Sequence, residues 1–116
     1  MTVIYGINNC DTVKKALKWL EKNNIPYTFH DFKKQGLTSD LLEQFAEQSS
    51  WAELVNKRST TFRNLPQEIK DNLNHDNCFN ACMEQPTLIK RPVLVHNQAL
   101  YLGFKDASYQ EIFGCE

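Results

Sequence analysis

Cys10 stands between a polar turn and a helix. The stretch YGINNCDTVKKALKWL, residues 5–20, passes from apolar residues through Gly6 and Asn8-Asn9 to the cysteine. From Asp11 the apolar residues take helical spacing: Val13, Ala16, Leu17 and Leu20 fall at i, i+3, i+4 and i+7. A helix therefore begins near Asp11 or Thr12, with Cys10 at its cap. Backbone N–H groups there lack intrahelical partners, and the helix dipole adds partial positive charge. Both favour a thiolate over a thiol, which makes Cys10 the candidate nucleophile. The same N–H groups can cradle an anion beside the sulfur, in a setting that includes Asn9, Asp11 and Thr12. A cysteine that only packs as a small hydrophobe would have apolar neighbours; those of Cys10 are polar. Thioredoxin-type dithiols carry a second cysteine three residues on, where this chain has Val13. No C-x-x-C disulfide can form, so a separate thiol must resolve Cys10.

The other cysteines are Cys78, Cys82 and Cys115. Cys78 and Cys82 sit one helical turn apart, where disulfide geometry is rarely met. Cys82 shares an apolar face with Phe79 and Met83 and reads as core, and Cys78 lies at the edge of that face as a possible resolving thiol. Cys115 is a tail residue without a positioned site. His30, His75 and His96 are scattered, so no zinc pattern emerges and no metal is expected. His30 reads as structural or exposed, His96 as a surface residue near a turn, and Trp19 and Trp51 as packing residues. Arg58 and Arg91 suit anion binding by chemistry.

The elements that must position these groups follow from periodicity. Thr2 to Ile7 suits a short buried strand, and Tyr27 to Phe32 alternates as a second. With a helix between them, the two strands are expected to be parallel. A turn follows at Lys33 to Gly36. Thr38 is placed to cap a helix bearing Leu41, Leu42 and Phe45, and Trp51 to Val55 is a shorter helical piece. Lys57 to Arg63 reads as a polar loop. Pro66 suits the first turn of a helix with Ile69 and Leu73. Asp76 is a candidate cap for a helix that Pro86 stops. Pro92 to His96 and Ala99 to Leu102 form a hairpin through Asn97-Gln98, and Asp106 to Phe113 closes the chain as a helix.

The 116 residues suffice for one domain with a single sizeable core. A net charge of −1 gives no global pull toward nucleic acid or anionic membrane. No apolar run approaches the ~20 residues of a membrane span, and no signal-peptide pattern opens the chain. The expectation is a cytoplasmic protein with free thiols and with neither nucleic acid nor membrane as a partner.

The order of YGINNCDTVKKALKWL, NKRSTTFRNL, IKRPVLV and LGFK resembles the arsenate reductase (ArsC-like) family over nearly the whole chain, most closely its YffB-type branch and more distantly the Spx regulators. The resemblance implies an α/β, thioredoxin-like fold, β-α-β followed by β-β-α. The core is expected over residues 1–35 and 86–116, with a helical insertion over 37–85. It implies a nucleophilic Cys10, anion or glutathione binding by Arg91, Arg58 and Lys105, and Pro92 beside the cysteine, a position that is commonly cis in such folds. It also implies no bound cofactor, glutathione as co-substrate and a glutaredoxin-like partner. Two departures weaken the case for arsenate. Gly6-Ile7-Asn8-Asn9 lacks the histidine usual before the cysteine, and Lys105 replaces an arginine, a point charge for a bidentate fork. The expected function is a glutathione-dependent thiol reductase. Arsenate reduction proper and a non-catalytic Spx-like regulator are the alternatives.

Overall fold

The computed structural model describes residues 2–114. The chain forms two compact units, one from residues 1–35 with 91–116 and one from residues 36–90.

The first unit is built on a four-stranded sheet. Strands β1 (Thr2–Gly6), β2 (Thr28–Asp31), β3 (Val93–His96) and β4 (Ala99–Leu102) lie in the order β2-β1-β3-β4. β1 and β2 are parallel, as a β-α-β crossover requires, and β3 is antiparallel to both β1 and β4. The β3–β4 hairpin turns through Asn97 and Gln98, both at positive φ (50° and 71°), the conformation tight two-residue hairpins demand. Helices α1 (Asp11–Lys22) and α8 (Asp106–Phe113) cover one sheet face, where Ile4 and Leu94 meet Ala16, Trp19, Leu20 and Tyr109. Trp19 packs edge-on to Tyr109 and donates its Nε1–H to Asp106 Oδ1 at 3.1 Å, which ties α1 to the start of α8. His96 is not a free surface residue. It shares a 2.8 Å hydrogen bond with Thr2 Oγ1 and packs against Phe113, because the pairing sets it opposite Thr2. His30 is half-buried beside Tyr5 and Phe32.

β2 ends earlier than its alternation suggests. Phe32–Gln35 forms the short helix α2, started where Asp31 Oδ1 accepts the Lys33 N–H and Gln35 Oε1 accepts the Asp31 N–H.

The second unit holds α3 (Ser39–Glu47), α4 (Trp51–Leu54), α5 (Thr60–Arg63), α6 (Gln67–Asp71) and α7 (His75–Glu84), followed by a 3-10 turn at Pro86–Leu88. Thr38, Ser50, Ser59 and Asn74 cap α3, α4, α5 and α7. Ser59 thus turns part of the expected 57–63 loop into helix. The α7 cap is Asn74 rather than Asp76, because Asn74 Oδ1 accepts from Asn77 N–H; Asp76 falls in the first turn, where its charge suits the dipole. Pro66 is the cap of α6 rather than its first residue, and Leu73 lies beyond that helix. Residues 86–90 belong to this unit: Leu88 C=O accepts from Asn56 N–H at 2.7 Å, and Lys90 N–H donates to Leu54 C=O at 2.8 Å.

Gly6 fixes how closely α1 approaches β1. A Cβ there would stand 2.8 Å from Val13 Cγ2, and Val13 is wholly buried and cannot step aside. We expect Gly6→Ala to destabilise the fold by ~1–3 kcal/mol, the usual cost of overpacking. Urea denaturation measures it, and in a double-mutant cycle with Val13→Ala the combined loss should be less than the sum of the two single losses.

His75 joins three helices of the second unit. Its Nε2 bonds Glu43 on α3, its Nδ1 lies 3.6 Å from Asp76, and its ring stacks on Phe79 and meets Trp51 of α4 edge-on. The hydrogen bond to Glu43 raises the His75 pKa above 6.5, and Asp76 adds to it. A raised folded pKa gives stabilisation that is fully present below pH 6.5 and lost as pH climbs through the folded value. The melting-temperature gap between wild type and Glu43→Gln should therefore be wider at pH 6 than at pH 9.

A candidate thiol site at one end of the sheet

The sheet pairing gathers the candidate residues of the first unit. β1 runs out at Gly6, beside Asp31 of the parallel β2. β3 enters at the same end, with Val93 opposite Tyr5, and β4 leaves there, with Leu102 opposite Val93. The loop of residues 7–10, the Arg91-Pro92 pair and the segment 103–105 therefore share one end of the sheet. A 2.9 Å hydrogen bond from Gly103 N–H to Pro92 C=O closes the β4 side.

Cys10 is the cap of α1. Its backbone is extended (φ −102°, ψ 124°), its C=O accepts the first helical hydrogen bond from Lys14 N–H at 3.0 Å, and its own N–H reaches Ile7 C=O at 3.3 Å. This turn holds the thiol at the mouth of the helix, partly exposed. Its Sγ makes no capping hydrogen bond, so the N–H groups of Asp11, Thr12 and Val13, which precede the first helical bond, carry no side-chain cap from it. Asn9, Asp11 and Thr12 are exposed around the thiol.

Arg91 lies at the head of β3, joined to Pro92 by a cis peptide bond. Pro92 is fully buried. Arg91 is half-exposed, yet its Nε is buried and has no hydrogen-bond partner. Lys105 is the exposed cap of α8; its C=O accepts the Tyr109 N–H at 3.0 Å, and its side chain makes no capping hydrogen bond. Arg58 belongs to the second unit, exposed in the turn after α4, where its N–H donates to Asn56 Oδ1.

The remaining thiols have a different chemistry. Cys78 and Cys82 are both buried in α7 as free cysteines. Burial pushes both thiols up; Cys82 reaches about 12, with the neighbouring Cys78 adding to the shift. Cys78 is thus a packed residue, not an accessible edge, and a thiol so held is a poor nucleophile. Cys115 lies outside the described residues. Among the described residues, no cluster of His, Cys, Asp and Glu could hold a metal ion, and no helix is long and apolar enough to cross a membrane.

One residue of this end escaped the reading of the sequence. Gly6 looks like a strand breaker there, yet it is the contact that seats Val13 and with it the first turn of α1. A glycine facing the first buried position of the next helix is the pattern that could have shown it.

Comparison with known proteins matches this architecture. A solved YffB protein superposes with a TM-score of 0.89 at 36% identity, covering 96% of this chain and 97% of its own. An arsenate reductase (ArsC) related protein from Brucella melitensis gives 0.81 at 45% identity, over 97% of this chain and 93% of its own. The global transcriptional regulator Spx 2 of Bacillus anthracis is 30% identical over 91% of this chain and 82% of its own length. The ArsC family model matches residues 5–112. The thioredoxin-like core, the cysteine at its helix cap and these matches place the chain in the ArsC family.

Proposed function

We propose that this chain is a thiol-dependent oxidoreductase with Cys10 as nucleophile and cationic groups beside it that hold the anionic part of the substrate. The observation that carries this reading is the Arg91 Nε–H, buried without an acceptor at the sheet end where α1 begins with Cys10. A buried donor left unsatisfied costs ~1–3 kcal/mol. A carboxylate or oxyanion supplies the missing acceptor through a charge-assisted bond. Lys105 and the open N–H groups of α1 add to the same field. Arg58 lies in the other unit, and the reading stands on the first unit alone.

The chemistry is thiol–disulfide exchange. Cys10 Sγ attacks one sulfur of an oxidised substrate. A new S–S bond forms, the old one breaks, and the leaving sulfur takes the electron pair and a proton. With Val13 in place of a second cysteine, an external thiol must then attack the mixed disulfide. Glutathione suits that role: its carboxylates match Arg91 and Lys105, and two glutathione thiols supply the two electrons of each turnover. A glutaredoxin-like protein would accept the glutathione adduct, and a reducing cytoplasm would supply the thiols. Arsenate is the alternative substrate, and the similarity to the Brucella arsenate reductase related protein favours it. A regulator without turnover is the second reading, favoured by the similarity to Spx 2.

Iodoacetamide at pH 8, followed by peptide mapping, should label Cys10 while Cys78 and Cys82 stay unmodified until the protein unfolds, because burial protects both and raises their pKa values. A Cys115→Ser background keeps the tail thiol from competing. Labelling of Cys82 ahead of Cys10 would overturn the assignment.

Turnover is best tested with a glutathione mixed disulfide, and in parallel with arsenate plus glutathione and glutaredoxin. Cys10→Ser should abolish both with the melting temperature nearly unchanged. Arg91→Gln should lower kcat/KM about 10- to 100-fold, the worth of a hydrogen bond to a charged group. A reactive Cys10 that turns over neither substrate would put the regulator reading first.

A further inference from the structure

We infer that the solvent face of α1 is a docking ridge for an acidic protein partner that exchanges disulfides with Cys10. The inference rests on the oxidoreductase reading and names its partner. Lys14, Lys18 and Lys22 stand four residues apart on α1, the spacing that forms a continuous ridge along a helix, and Cys10 caps the same helix just before them. The three lysines and Lys15 are exposed, while Val13, Ala16 and Leu20 of the opposite face are fully buried. No ion pair joins a lysine of α1 to an acid of the described residues. Glu21, the nearest acid late in the helix, accepts a 2.9 Å hydrogen bond from Tyr27 Oη instead. Asp11 is the one acid in the first turn, where its charge also meets the helix dipole. The lysine charges are thus left for something outside the chain, on a row that begins at the reactive sulfur.

Length decides the class of partner. The twelve residues of α1, from Asp11 beside the thiol to Lys22, rise ~18 Å. An extended tripeptide spans about 11 Å at most, so glutathione reaches no further than the first part of the ridge. A folded partner with acidic side chains beside its own reactive sulfur covers the whole row. Such complementarity raises encounter rates by ~10- to 1000-fold at low salt and fades as salt screens it.

The test uses two twelve-residue peptides, each with one cysteine activated as its pyridyl disulfide, one bearing Glu at every fourth position and one bearing Lys. When Cys10 attacks the peptide sulfur, the Cys10–peptide disulfide forms and pyridine-2-thiolate leaves with the electron pair. It then takes a proton to give the absorbing thione. The readout is the ratio of acidic-peptide to basic-peptide rates, which cancels any change in the thiol itself. At low salt the wild-type ratio should exceed about tenfold. Lys18→Glu with Lys22→Glu should bring it to one or below. Lys33→Glu with Lys34→Glu makes the same change in net charge off the ridge and should keep most of it. A wild-type ratio near one, or equal loss in both double variants, would overturn the ridge. So would protection of Cys10 by a short DNA duplex at the same salt, which would point to nucleic acid instead. If Cys10 reacts with neither peptide, the oxidoreductase reading itself fails and the ridge falls with it, an outcome distinct from a reactive Cys10 with a ratio near one.

Discussion

The antiparallel pairing of β3 with β1 is the constraint on which the site depends. β1 lies at the centre of the sheet, and its C-terminal end opens directly into the cysteine loop. Because Val93 pairs with Tyr5, the chain must re-enter the sheet at that same end, with Arg91 and Pro92 just outside it. Residues some eighty positions apart are thus brought to one end of the sheet by strand pairing. Register matters as much as pairing. A slip of one residue would exchange the faces of β3 and take Leu94 out of the core it shares with Ile4. The packing that stabilises the sheet therefore also fixes where Arg91 and Pro92 stand.

The thiols of the described residues show how one side chain takes different roles by placement. Cys10 is held by a turn at a helix mouth, where the backbone presents donors and partial positive charge. Cys78 and Cys82 sit inside α7, where removal from water disfavours the charged form and leaves small apolar side chains.

Much of this was legible in the sequence because it rests on local signals. The strand–turn–helix around Cys10, the Thr38 cap, the Asn97-Gln98 hairpin and the closing helix each carry their own periodicity or turn chemistry. The polar middle of the chain was harder. α5 is four residues long and depends on the Ser59 cap more than on any apolar stripe, and α7 is capped by Asn74 in a run of Asn, His and Asp where several residues could cap. His96 read as a surface residue because its partners Thr2 and Phe113 lie far along the chain. The buried Arg91 Nε was equally invisible, since no local pattern says which atom of an arginine loses its water.

Under the proposed oxidoreductase reading, Val13 makes the second thiol external. Its side chain is fully buried against Gly6, so position 13 faces the end of β1 as part of the core. The branched side chain fills the space the glycine leaves, and packing there couples the first turn of α1 to the strand that leads into Cys10. A dithiol enzyme carries its second thiol at this position. Here the position stabilises the scaffold, and on the proposed oxidoreductase reading the second thiol comes from another molecule. On that reading, affinity for an outside thiol is a requirement of the cycle. The charged groups that the core leaves unused can meet it: Arg91 and Lys105 at the sheet end, and the lysines on the outer face of the same helix that holds Val13 inside.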